Sequence, residues 1–166
     1  MIILSFDTIS SPPSISIIDY NQNNEKISII KKKPLPLNKS AELLINNIIS
    51  TEIDLNSIDI ILVPLGPAKS WTGLRIGLIV AKILAWSMTI PIIGIPLNVL
   101  DIHEQGRLKN KVTEIQFGKS IHIQMLISAK KRIQNNDFDS AATLNAIYEK
   151  LPGNIKEVVY DKNNNS

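Results

Sequence analysis

The first third of the chain has the hydrophobic pattern of short strands. Residues 2–6 form an apolar run, and the segments Ser14–Asp19 and Lys26–Lys31 also run or alternate apolar, with an asparagine-rich turn between them. Segments of this kind, separated by turn residues, are typical of antiparallel strands. We therefore expect a three-stranded meander that ends at Pro34, because proline has no N–H to donate to a sheet.

The hydrophobic period then changes to that of a helix. Asn38 and Ser40 are both candidate N-caps, and Glu42 falls in the first turn. The apolar positions that follow have the i, i+3, i+4, i+7 spacing of one helical face: Ala41, Leu44, Ile45 and Ile48. This spacing predicts the first helix of the protein.

A strand, a turn and a second helix follow. Ile58–Val63 is almost entirely apolar, as expected for a strand that is covered on both faces. Pro64–Pro67 predicts a turn, and the apolar stretch after it predicts a helix from about Thr72 to Met88. Another buried strand is predicted at Pro91–Ile95.

The predicted order over residues 1–105 is β-β-β-α-β-α-β-α, with a last helix from Leu97 to Gly106. An antiparallel meander followed by parallel strands with crossover helices is the basic unit of the actin-like ATPase superfamily, whose fold is RNase H-like. We therefore expect an α/β N-terminal domain of this architecture.

Residues 106–160 predict a reduced C-terminal lobe. Strands are expected at Val112–Phe117 and Ile121–Ile127, followed by a helix over Ser140–Lys150 with Asp139 as its N-cap. A last strand is expected at Ile155–Tyr160. The polar residues 161–166 predict a disordered tail.

The stretch from Ile76 to Leu100 has Lys82 as its only charge and is long enough to span a bilayer. A lysine near the centre of a span costs about 2.5–3.5 kcal/mol, and Pro91 and Gly94 interrupt the run. A buried helix followed by a buried strand explains the stretch better. We expect a soluble, cytoplasmic protein with no membrane partner, since the N-terminus also lacks the pattern of a signal peptide.

Composition narrows the chemistry that the chain can perform. There is no cysteine, which excludes disulfides, thiolate metal sites and a cysteine nucleophile. The net charge of +3 is spread thinly, and the basic runs Lys31–Lys33 and Lys130–Arg132 are interpreted as solvated ends of elements.

Histidine and acidic residues do not form a metal-binding pattern. His103 and His122 have no second histidine at helical spacing, and we interpret each as a surface or structural residue. Asp7 and Thr8 end the first strand, where they could coordinate a metal–phosphate group or shape a turn. The turn is favoured, because Ser11-Pro12-Pro13 stands where a glycine loop would be needed. We therefore predict no metal-binding and no catalytic residue.

The turn before the long helix is the main candidate site. The start of a helix presents free N–H groups and the positive end of its dipole, so an anion or a nucleotide can bind there. The alternative is a capped helix whose glycines permit close packing. The candidate contact residues are Gly66, Pro67, Lys69, Ser70, Thr72, Gly73 and Arg75.

The long helix itself is apolar on nearly all sides, although a helix on one side of a sheet needs only one apolar stripe. It therefore needs a second cover, either from another lobe or from another subunit. The weak patterning of the C-terminal region favours a subunit interface. The predicted interface residues are Leu44, Ile45, Ile48, Leu78, Ile79, Lys82, Ile83 and Trp86.

Over residues 1–105 the sequence resembles the TsaB (YeaZ) family. The resemblance lies in Ile3–Thr8, in Ile92–Ile95, and above all in Gly66-Pro67 followed by Ser70-Trp71-Thr72-Gly73-Leu74-Arg75-Ile76-Gly77. Family members typically read Gly-Pro-Gly-Ser-Phe-Thr-Gly-Leu/Val-Arg-Ile-Gly at this place. Here Ala68-Lys69 replaces the middle glycine, and the C-terminal region is shorter than the second lobe of the family.

The resemblance implies a non-catalytic subunit of the complex that forms N6-threonylcarbamoyladenosine at position 37 of tRNA. It implies helix-mediated pairing with a catalytic, TsaD-like paralogue, a TsaE-like ATPase in the same assembly, and self-association as a homodimer. It also implies only indirect contact with tRNA and no cofactor of its own, because any ATP would be bound mainly by the partner subunits. The alternative is a small-molecule kinase or ATP hydrolase of the actin-like superfamily.

Overall fold

The computed structural model describes residues 1–10, 12–35, 40–68, 71–97 and 120–148. Several predictions lie outside these ranges and are not tested. They are the N-cap Asn38, the helix after Leu97, His103, the strands Val112–Phe117 and Ile155–Tyr160, and the tail 161–166.

Five strands within the described residues form one mixed sheet. They are β1 (Ile2–Asp7), β2 (Ser14–Asn21), β3 (Lys26–Pro34), β4 (Ile60–Gly66) and β5 (Ile92–Pro96), in the order β3-β2-β1-β4-β5. The first three strands pair antiparallel, and β4 pairs parallel with both β1 and β5. This confirms the predicted meander and parallel strands, although β4 continues to Gly66 through most of the predicted turn.

Three α-helices in the described part of the chain cover the sheet. They are α1 (Ser40–Ile49), α2 (Trp71–Met88) and α3 (Ile121–Gln134). α1 and α2 pack together on one face of the sheet, and α3 covers the other face. None of the helices among the described residues is long and apolar enough to cross a bilayer.

The predicted strand at Ile121–Ile127 is wrong, because these residues begin α3. The buried side chains recur with the helical period, at His122, Met125, Leu126, Ala129 and Ile133. The first seven residues also alternate apolar and polar at several positions, which imitates a strand over a short window.

The predicted helix over Ser140–Lys150 is also wrong within the described residues. Residues 141–143 form a turn, and residues 144–148 have no regular secondary structure. Asp139 does not cap a helix, because its carboxylate accepts hydrogen bonds from the Gly94 backbone N–H and the Arg132 guanidinium, at 2.8 and 2.9–3.1 Å.

The same residues close the outer edge of β5. The backbone N–H of Asp139 donates to the carbonyl of Ile92 at 2.9 Å, and the two residues form an antiparallel bridge. The Asp139 carboxylate accepts a hydrogen bond from the N–H of Gly94, and Arg132 donates to the carbonyl of Gly94 at 3.5 Å. Backbone groups that an edge strand would leave unpaired are therefore bonded within the chain.

Candidate functional site

The turn after β4 is packed tightly against the C-terminal part of the chain. Gly66 is buried and has φ = +97°, a conformation that side-chain-bearing residues rarely adopt. A Cβ at this position would overlap the carbonyl oxygen of Ile147. The backbone N–H of Ile147 in turn donates to the carbonyl of Leu65 at 2.6 Å.

The residues predicted to contact an anion are only partly described. Pro67 and Gly73 are half-buried, and Thr72 and Arg75 are exposed. Thr72 is the second residue of α2 and is not its N-cap. Lys69 and Ser70 lie outside the described residues, so an anion or nucleotide contact at this turn stays a prediction.

Arg75 is held by an aromatic side chain of the same chain. Its Nε donates to the hydroxyl of Tyr148 at 3.1 Å, and its guanidinium carbon lies 5.4 Å from the centroid of the tyrosine ring. This is a cation–π contact combined with a hydrogen bond. The structure thus supplies a partner for a cation that stands unfavourably at the positive end of a helix dipole.

A second glycine of the motif serves close packing. Gly77 lies where α2 approaches the end of β1, and a Cβ there would overlap Thr8 Oγ1. The interpretation that glycines bring this helix close to the sheet therefore holds for Gly77.

Asp7 shapes the turn after β1, as the sequence predicts. Its side chain is almost fully buried, and Oδ1 accepts hydrogen bonds from the backbone N–H groups of Ile9 and Ser10, at 3.3 and 3.0 Å. Burial raises the pKa of the Asp7 carboxyl, and the hydrogen bonds from Ser10 and Ile9 oppose that rise.

His122 is a structural residue that joins α3 to the sheet, and it is not on the surface. The ring is completely buried, with Nε2 2.9 Å from Ser14 Oγ and Nδ1 2.9 Å from Ser5 Oγ. Burial, followed by the positive charge of Lys32, lowers its pKa to about 3, so the imidazole is neutral at pH 7. Sequence reasoning did not identify this cluster, although Ser5 and Ser14 occupy inward positions of neighbouring strands.

No group of three or more His, Asp or Glu side chains within the described ranges is placed to hold a metal ion.

The predicted interface residues separate into two sets. Leu44, Ile48 and Leu78 are at most 6% exposed and belong to the core between the helices and the sheet. Ile45, Ile79, Ile83 and Trp86 are exposed by 52, 55, 57 and 81%, and Ile49, which was not in the predicted set, by 60%. We call the five exposed residues, Ile45, Ile49, Ile79, Ile83 and Trp86, the α1–α2 face.

Lys82 is a half-buried residue that anchors another segment of the chain. Its Nζ donates to the carbonyls of Leu144 and Ala142, at 2.8 and 3.5 Å. Residues 140–148 thus lie against α2, and we call them the strap. Leu144 is the buried residue of the strap and packs in the same core as Leu65.

The sequence model of the family described as TsaD, tRNA N6-adenosine threonylcarbamoyltransferase, matches residues 38–135, which is more than half of the chain. The chain belongs to the TsaD family. A search of curated proteins finds no match to the sequence.

Solved structures show the fold. YeaZ from Pseudomonas aeruginosa is 14% identical, with a TM-score of 0.58, and the match covers 89% of this chain and 100% of that one. RuvC from Thermus thermophilus is 8% identical, with a TM-score of 0.52, and the match covers 84% and 99%. These matches confirm the actin-like, RNase H-like fold, and with the family membership they support the predicted TsaB-like protein.

Proposed function

We propose that this TsaB-like protein is a non-catalytic partner subunit in the synthesis of N6-threonylcarbamoyladenosine at position 37 of tRNA. It acts by binding a catalytic, TsaD-like paralogue through the α1–α2 face. The observation that carries this proposal is the exposure of Ile79, Ile83 and Trp86 on one helix, beside Ile45 and Ile49 on its neighbour.

The exposed residues are not needed to attach the helices to the sheet. Leu74, Leu78, Ala81 and Ala85 form the buried side of α2, and Leu44 and Ile48 form that of α1. Apolar side chains gain about 25 cal/mol for each Å² removed from water, and a contiguous exposed apolar patch is typical of a protein–protein contact. The α1–α2 face therefore has the chemistry of a subunit interface.

A non-catalytic role agrees with the contacts of the carboxyl and imidazole side chains that are buried within the described part of the chain, Asp7 and His122. The Asp7 carboxylate is bound to backbone N–H groups, and His122 is enclosed between two serine hydroxyls. We propose that any ATP is bound mainly by partner subunits, that a TsaE-like ATPase joins the assembly, and that contact with tRNA is indirect. We further propose that the protein works in the cytoplasm and that a homodimer forms through the same face when the paralogue is absent.

Size-exclusion chromatography with light scattering tests the proposal. Wild-type protein is mixed with a TsaD-like paralogue, and a complex of one copy of each is expected. Ile79→Asp and Ile83→Asp should abolish the complex. Ile127→Asp is the matched control, because Ile127 is 53% exposed on α3, on the opposite side of the sheet.

Circular dichroism of each variant establishes that it is folded. Failure of folded wild-type protein to form a complex at low micromolar concentration contradicts the proposal. Equal loss of binding in Ile127→Asp also contradicts it, because the effect would then not be specific to the α1–α2 face.

A further inference from the structure

The strap runs beside the exposed residues of α2. Arg75, Ile79, Lys82 and Trp86 are spaced by four, three and four residues, so they are neighbours along one side of the helix. Arg75 contacts Tyr148, and Lys82 contacts the carbonyl of Leu144. The two cations therefore attach the strap along the flank of the α1–α2 face.

The two attachment points fit a strap that is extended and antiparallel to α2. Arg75 and Lys82 are separated by about 10 Å along the axis of a helix. Leu144 and Tyr148 are separated by about 13 Å in an extended chain. Since the later strap residue contacts the earlier helix residue, the strap keeps to this flank over about two helical turns.

The outer side of the strap continues the apolar surface. Ile147 is 40% exposed and Tyr148 is 45% exposed, and both follow the buried Leu144. The surface is therefore formed by three segments, which are α1, α2 and the strap.

The charge on the α2 and strap part of this surface has one sign. Arg75 and Lys82 are the only charged residues of α2, and residues 140–148 carry no charge. The groups that bind these cations within the described residues are a tyrosine and backbone carbonyls, and these are neutral. A second copy packed through the same α2 and strap residues would bring like charges together, whereas a different protein with a carboxylate would compensate them.

We propose that the strap is the third wall of the subunit interface, and that the occupant is the TsaD-like partner rather than a second copy. The partner covers Ile147 and Tyr148 with apolar side chains and places a carboxylate beside Arg75. This inference rests on the proposed function and adds to it the extent of the interface and the charge of the partner.

Binding measurements by calorimetry test the strap. Ile147→Asp should weaken binding to the TsaD-like partner by about tenfold or more, as expected for an exposed apolar contact that becomes buried. Ile127→Asp should bind like the wild type. If Ile147→Asp binds normally while Ile79→Asp does not, the strap is outside the interface and the proposed function stands. If Ile79→Asp also binds normally, the proposed function fails.

The carboxylate is tested by comparing two substitutions that both remove the contact between Arg75 and Tyr148, so that they differ from each other in charge. Arg75→Gln removes the charge, and Arg75→Glu reverses it. Arg75→Glu should bind several-fold more weakly than Arg75→Gln, and the difference should shrink as salt increases. Equal affinities for these two variants overturn the carboxylate. If the wild type associates with itself more tightly than it binds the TsaD-like partner, the choice of occupant is overturned.

Discussion

The two sides of the sheet are built on different chemistry. Both sides have an apolar core, but α1 and α2 also expose large apolar side chains on their outer surface. The side under α3 includes the buried cluster of His122, Ser5 and Ser14, and the outer surface of α3 is mainly polar, with Ile127 as its one large exposed hydrophobic residue.

This difference shows that the α1–α2 face is a positional feature and not a result of the high isoleucine content of the chain. α3 comes from the same sequence and carries four isoleucines, yet it places Ile123 and Ile133 inside and only Ile127 outside. A helix of this protein can therefore have polar residues on its outer surface. α2 differs in this respect, because Ile79, Ile83 and Trp86 are exposed on its outer surface.

The largest difference in stability should be found between alanine substitutions at two adjacent residues of α1, one buried and one exposed. Leu44→Ala should lower the free energy of unfolding by about 2–5 kcal/mol, because Leu44 is fully buried. Ile45→Ala should change it by less than about 0.5 kcal/mol, because Ile45 is 52% exposed. Urea denaturation measures both values. Similar losses in the two variants would mean that the α1–α2 face belongs to the internal core.

Acid should lower the stability of the protein through the buried ring of His122 on α3. The pKa of His122 is about 3 in the folded protein and 6.5 in the unfolded chain, so the unfolded chain binds the extra proton first. The contribution of the neutral His122 ring to the free energy of unfolding is therefore complete above pH 6.5. It is lost as the pH falls towards 3, by about 1.4 kcal/mol per pH unit. Denaturation of wild type and His122→Gln at several pH values isolates this contribution. An unchanged slope in His122→Gln would show that the ring is not the source.

The contact between α2 and β1 gives a smaller effect. Gly77→Ala should lower stability by about 1–3 kcal/mol, because the new Cβ overlaps Thr8 Oγ1. Thr8→Ala removes that atom, so the double variant should recover most of the loss. Thermal unfolding of the four proteins completes the cycle, and strictly additive losses would contradict a direct clash.

Asp7→Asn should have the smallest effect, and it should be stabilising at neutral pH. Burial raises the pKa of Asp7, so the ionised form is disfavoured and stability falls as the pH rises through the folded pKa. Asparagine keeps an oxygen for the N–H groups of Ile9 and Ser10 and carries no charge. The gain should vanish below pH 3.8. Asp19→Asn, at a half-exposed position, is the control and should show no such gain.

Most strands and helices in the first hundred residues could be predicted, because each hydrophobic pattern continues over enough residues to distinguish the period of a strand from that of a helix. The meander and α2 were predicted in this way. The turn formed by Asp7 was predicted from the residues that follow it, which do not form a glycine loop. The start of α3 was not, because Ile121–Ile127 alternates like a strand and only the following residues reveal the helical period. The strap was mistaken for a helix, since no local pattern shows that Lys82 and Leu65 bind its backbone.

The predicted interface residues include both buried and exposed side chains of α1 and α2, and the interface itself stays a prediction. An apolar helix surrounded by apolar residues does not indicate which side meets the sheet, so Leu78 and Ile79 could not be distinguished from sequence. The partners of His122 come from strands more than a hundred residues away, and such a cluster is visible only in three dimensions.

The closed edge of β5 has a consequence for how this protein can associate wrongly. A fibre built by joining sheets edge to edge needs two open edges on every molecule. Asp139 and Arg132 bind backbone groups of Ile92 and Gly94 at one edge, and within the described ranges β3 is the edge strand that has no strand paired on its outer side. Edge-to-edge growth through β5 is therefore blocked at Ile92 and Gly94, and sheets that joined through β3 alone would end at a pair of molecules.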